Sequence, residues 1–220
     1  MRSKDWKPKE TARILVIGED PNVQWSDQLP EYPLFADYYF RKVPYDHGER
    51  SRYMEAKNLF DMIKTLTDNR YFVTDVYITH LCNESLPHAP KGKRTLIPEN
   101  LALRGVDHIR WILEQNPEID LILACSMQTN YWLQKTGLVP ADEAFLKGAE
   151  PRRTGIQSYL PYYQPVDGKA FKDICGKFTH LTDTSAVRVL PLLPVRDFPL
   201  TDRNLEQYGD VYQAVQESFK

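Results

Sequence analysis

Residues 12–22, ARILVIGEDPN, decide how this chain is read. The apolar run from Ile14 to Ile17 is too short for a buried helix and rich enough in Ile and Val to be a core strand. It stops at Gly18, and Glu19 and Asp20 follow at once, ahead of a proline and Asn22. A chain that has just buried four aliphatic side chains thus presents two carboxylates where it leaves the core. Taken alone, such a pair reads equally well as a solvated turn in which Asp20 caps a helix.

Working outward, helical and extended patterns alternate. Residues 51–66, SRYMEAKNLFDMIKTL, place Tyr53, Ala56, Leu59, Phe60, Ile63 and Leu66 at spacings of three and four, the stripe of an amphipathic helix. Residues 72–79, FVTDVYIT, are β-branched and aromatic and predict a second strand. Ala102, Val106, Ile109 and Leu113 mark a helix over 98–115, with Pro98 and Glu99 at its start. Residues 119–125, IDLILAC, predict a third strand, and SMQTNYWLQK a helix that Gly137 ends. Residues 187–193, VRVLPLL, predict a fourth strand, with Pro191 near a strand end or edge because proline cannot donate to a ladder. A closing helix is predicted over 202–218. Residues 139–186 have weaker periodicity and many Pro, Tyr and Gly, and predict a less regular insert with a short helix near 169–177 and a hairpin.

Strands separated by helices predict an α/β fold, a three-layer α/β/α arrangement around a central, mostly parallel four-stranded sheet, in one domain of 220 residues. In such sheets ligands bind outside the carboxyl ends of the strands. Four stretches fall there: GEDPN at 18–22, HLCN at 80–83, CSMQ at 125–128 and LLPVRD at 192–197.

Composition narrows the chemistry. No apolar run approaches the roughly 20 residues that cross a bilayer, and the N-terminus has charge without an apolar core, so a cytoplasmic protein with no membrane partner is predicted. A net charge of −2 neither supports nor excludes DNA. Cys82, Cys125 and Cys175 are too scattered for a zinc site or a disulfide framework. There is no P-loop, no G-x-S-x-G elbow, no zinc-deaminase motif and no G-x-G-x-x-G turn.

GEDPN resembles the first motif of the uracil-DNA glycosylase superfamily, GQDPY in one branch and GEAPG in another, and like them it follows the first strand. YPLF at 32–35 is similar to the RPF segment after GEAPG. VYITHLCNESLPHAPKGKRTLIPEN at 76–100 and ILEQNPEIDLILACSMQTNYWL at 112–133 resemble later parts of that branch, in order through about 140 residues, and the likeness returns at VLPLLP. The resemblance implies a uracil-DNA glycosylase-like fold and hydrolysis of the N-glycosidic bond of a damaged or unusual base in DNA. It implies that Asp20 and Glu19 are the catalytic carboxylates, stabilising oxocarbenium character and orienting water. It likewise implies that Phe35 stacks on the base and His80 reads it, beside Gly18 and Asn22. Lys91, Lys93, Arg94 and Arg196 are the implied DNA contacts, made through phosphate.

The chain departs from the family at three places. His80 stands where the family has asparagine, which alters the donor and acceptor offered to a base. Leu193 precedes Pro194 where the second motif has a histidine that assists the departing base, with Arg196 as the nearby cation. The GEAPG branch holds an iron-sulfur cluster on four cysteines, and this chain has three, so no cluster or other cofactor is expected. An alternative function follows from these departures: a catalytically silent relative that binds nucleic acid, a nucleotide or a protein partner in the same crevice.

Overall fold

The computed structural model describes residues 3–8, 11–19, 30–40, 47–84, 86, 93–150, 163–165, 171, 173–192, 213 and 217. In chain order its elements begin with β1 (Ile14–Gly18), a 3-10 segment (Pro33–Phe40), α1 (His47–Leu66), a short 3-10 turn (Val73–Asp75), β2 (Val76–His80) and β3 (Lys93–Thr95). They continue with α2 (Glu99–Gln115), β4 (Leu121–Cys125), α3 (Met127–Lys135), α4 (Glu143–Ala149), β5 (Tyr163–Pro165), β6 (Thr179–Leu181) and β7 (Thr184–Leu192).

The fold is mixed α/β around a five-stranded sheet in the order β2-β1-β4-β7-β6. β1 pairs parallel with β2 and β4, β4 pairs parallel with β7, and β6 runs antiparallel to β7. The sheet therefore has one strand more than the four predicted. The addition is β6, three residues closing a hairpin onto β7 with only Leu181 buried, too short and too polar to register as an apolar run. β3 and β5 form a separate antiparallel pair.

β1 is buried along its whole length because its two faces meet different layers. Ile14 and Val16 pack with Ile78, Leu123 and Leu190 against Leu59, Phe60 and Ile63 of α1. Leu15 and Ile17 pack with Tyr77 and Ile122 against Val106 and Ile109 of α2 and Tyr131 of α3. Fully burying one such aliphatic side chain contributes about 1.5–3 kcal/mol, whereas the whole β-propensity scale spans about 1 kcal/mol. Two-sided burial, more than local preference, holds this strand in place.

The predicted second strand starts four residues late. Asp75 accepts a hydrogen bond from the Phe72 N–H at 2.8 Å and folds 73–75 into the 3-10 turn, so extended pairing begins only at Val76. Pro191 is accommodated near the strand end, as read. The β6 partners on β7 are Thr184, Arg188 and Val189, so the ladder on that side has stopped before Pro191, whose carbonyl accepts from Gly176 N–H at 2.8 Å. Residue 171 is helical and 173–176 form a turn, the described part of the helix read near 169–177. Of the predicted closing helix only Gln213 and Glu217 are described, both helical and hydrogen-bonded to each other at 3.0 Å.

The outer side of β2 is covered by the N-terminal segment. Trp6 exchanges backbone hydrogen bonds with Ile78 at 3.0 and 2.9 Å, and its ring packs on Tyr32 and Phe40. Among the described residues no helix is long and apolar enough to cross a membrane.

Candidate active-site crevice at the carboxyl strand ends

The register of β1 on β2 sets Gly18 opposite His80. The imidazole occupies the space above the glycine: a Cβ built on Gly18 would lie 2.6 Å from His80 Cδ2 and 3.4 Å from Leu34 Cδ2. Any side chain here would expel the ring, and that requirement accounts for glycine at the end of the apolar run. His80 is 1% exposed, and its Nδ1 is buried with no hydrogen-bond partner among the described residues. Burial pushes the imidazole down to about 3, overcoming the opposing pull of the Asp5 carboxylate, so the ring is neutral at physiological pH. A neutral imidazole offers one donor and one acceptor.

Glu19 belongs to the other face. Its Oε1 accepts from Gln128 Nε2, which also donates to the Thr95 carbonyl at 2.8 Å. Gln128 Oε1 accepts from Ile97 N–H at 2.8 Å. This one carboxamide at the start of α3 therefore joins the end of β1 to the chain between β3 and α2. The Cys82 N–H donates to the Glu19 carbonyl at 2.9 Å, extending the β1–β2 ladder past Gly18. α3 itself begins at Ser126, whose Oγ accepts from Thr129 N–H at 3.0 Å, while Thr129 Oγ1 donates to the Gly18 carbonyl at 3.3 Å.

Phe35 lies in the 3-10 segment, where Leu34 and Phe35 are both left-handed, with φ of 53° and 54°. Such a conformation costs a non-glycine residue about 1–3 kcal/mol. The Phe35 ring meets Tyr38 edge-on at 5.9 Å, and the Arg52 guanidinium of α1 lies over both rings at 5.7 and 5.9 Å.

A second polar cluster stands on the α2 side of β2. Asp5 accepts from Tyr77 Oη at 2.9 Å and Thr79 Oγ1 at 2.8 Å, and meets His108 Nε2 at 2.7 Å. Burial raises the Asp5 carboxyl, but hydrogen bonds from His108, Thr79 and Tyr77 outweigh it and leave it below its ordinary value. Burial and the adjacent carboxylate raise the Tyr77 phenol. His108 also borders a groove of about 260 Å³ between α2 and the loop after β2, reaching from Leu81 to Leu101. α2 approaches that loop closely at Gly105, where a Cβ would sit 1.8 Å from the Leu81 carbonyl oxygen.

Of the residues singled out in the sequence, Gly18 and His80 meet directly, with Phe35 one residue from their neighbour Leu34. Glu19 stands on the opposite side with Gln128. Lys93 and Arg94 belong to β3 and pair through their backbones with Pro165 and Gln164. Asp20, Asn22, Lys91, Leu193 and Arg196 lie outside the described residues. Gln128, Arg52 and the pairing of Asp5 with His108 had escaped the sequence reading. Only Gln128 had a signal there, its place in CSMQ at a strand end. No protein-family model matches this chain, and no curated protein matches it.

Proposed function

We propose that this chain is a divergent, uracil-DNA glycosylase-like protein that hydrolyses the N-glycosidic bond of a damaged or unusual base in DNA. The observation that supports this reading best is the contact of His80 with Gly18 at the carboxyl ends of β2 and β1. A neutral ring with an unpartnered Nδ1 stands beside the segment that carries Phe35. In the proposed reaction the base leaves the helix and stacks on Phe35, and His80 pairs with its edge. Asp20, next to Glu19, stabilises positive charge at the sugar and orients the water that attacks the anomeric carbon as the base departs with the bonding electrons. Lys91, Lys93, Arg94 and Arg196 hold phosphates in this reading.

The silent alternative has an observation of its own. The Glu19 carboxylate is engaged by Gln128, a structural role that leaves Asp20 as the one motif carboxylate for chemistry.

Base release from end-labelled oligonucleotides carrying uracil, hypoxanthine, xanthine, a G·T mismatch or an oxidised base tests the proposal, with alkali to reveal abasic sites. Release from one substrate, lost in Asp20→Asn, is the expected result. A folded preparation that releases none of these bases refutes catalysis and favours the silent binder.

A further inference from the structure

Arg52 has no acidic partner among the described residues, unlike the neighbouring Lys57 of α1, which pairs with Asp61. Its one hydrogen bond among those residues runs from Nη1 to Tyr38 Oη at 3.1 Å, and its Nε is buried without a partner. A buried donor left unpaired costs about 1–3 kcal/mol, and more when it is charged. The same spot carries the two left-handed residues Leu34 and Phe35. Strain and an unmet cationic donor thus coincide against the ring that the proposed function uses for stacking, the kind of coincidence that marks ligand sites.

The guanidinium carbon lies 5.7 Å from the centre of the Phe35 ring and 5.9 Å from that of Tyr38, a cation–π arrangement that keeps the charge beside Phe35. With Nη1 taken by Tyr38 and Nε buried, Nη2 is the donor left to meet a phosphate oxygen. We propose that Arg52 is a phosphate-holding residue of the crevice, gripping a backbone phosphate of the strand whose flipped base stacks on the second face of Phe35. This rests on the base-binding reading above. It places the anion on the α1 side, opposite Glu19, where like charge would repel it.

The test is the binding of a fluorescein-labelled single-stranded oligonucleotide to the full chain, followed by anisotropy over a range of salt concentrations, for wild type, Arg52→Gln and Arg52→Lys. Arg52→Gln should weaken binding about tenfold and flatten the slope of log affinity against log salt by about 0.7, the loss of one phosphate contact to a single strand. Arg52→Lys keeps the charge without the planar guanidinium over the two rings, so it should keep the slope and still bind several-fold more weakly. Wild-type affinity in either variant overturns the proposal, as does a wild-type chain that binds no oligonucleotide. Should Arg52→Gln fail to fold, as circular dichroism would show, the lysine variant decides. Arg52-dependent binding without base release would refute the glycosylase activity alone and leave the phosphate site standing.

Discussion

Lowering the pH from 7 to 5 should destabilise this protein through His80. In the unfolded chain its imidazole titrates near 6.5, whereas in the folded chain burial holds it at about 3. The unfolded state therefore binds the extra proton throughout that interval, and stability falls as pH falls. The limiting slope is about 1.4 kcal/mol per pH unit, and integration between the two pH values gives a loss of about 2 kcal/mol. Asp5 does not contribute in this window. Its carboxyl is held below an ordinary value of 3.8, so its stabilisation is complete above that pH and is lost only as pH falls through the folded value. Urea unfolding at pH 7, 6 and 5 should be measured for wild type and for His80→Asn. The substitution shifts the whole curve, and the change in slope is the readout: the variant should lose about 2 kcal/mol less between pH 7 and 5 than wild type. Equal losses in the two proteins would show that His80 charges freely in the folded state, and the account of its burial would be wrong.

Gly105→Ala should destabilise by about 3 kcal/mol or more, because its Cβ meets backbone at Leu81 rather than a side chain that can turn away; a melting curve within 2 °C of wild type would refute this close approach. Gln128→Ala removes a carboxamide with three bonds and leaves the buried Ile97 N–H unpaired, a cost of about 1–3 kcal/mol in urea unfolding. Gln128→Glu should cost at least as much, since it replaces a donor to Glu19 with a like charge. Asp5→Asn should cost about 1.5–3 kcal/mol at pH 7, and its deficit relative to wild type should shrink below pH 4 as the native carboxylate is protonated. A deficit that does not vary with pH would argue against an ionised Asp5.

Elements whose cause is local could be read from the chain alone. The run Ile14–Ile17 and the stripe Ala56, Leu59, Phe60, Ile63 identify a strand and a helix because side-chain period depends on neighbours a few residues away. All eight residues are buried as that period requires. Gly137, left-handed at φ 73°, ends α3 where the helical pattern stops, another local effect. β6 escaped notice because three residues with one buried side chain carry no period, and it exists only through its pairing with β7. The late start of β2 escaped because a reciprocal pair of hydrogen bonds between Phe72 and Asp75 competed with β-branched composition.

The same division runs through the crevice. That chemistry lies near Gly18, Glu19 and His80 was legible, since alternation of strands and helices implies where a parallel sheet keeps its ligands. That Gly18 must be glycine because His80 covers it depends on strand register, and that Glu19 answers to Gln128 depends on a contact across 109 residues. The Arg52 stack and the Asp5 cluster with His108 have the same origin. Local order is written into side-chain periodicity, whereas the partners of a buried polar group are chosen only when distant segments pack and each must find its hydrogen bonds.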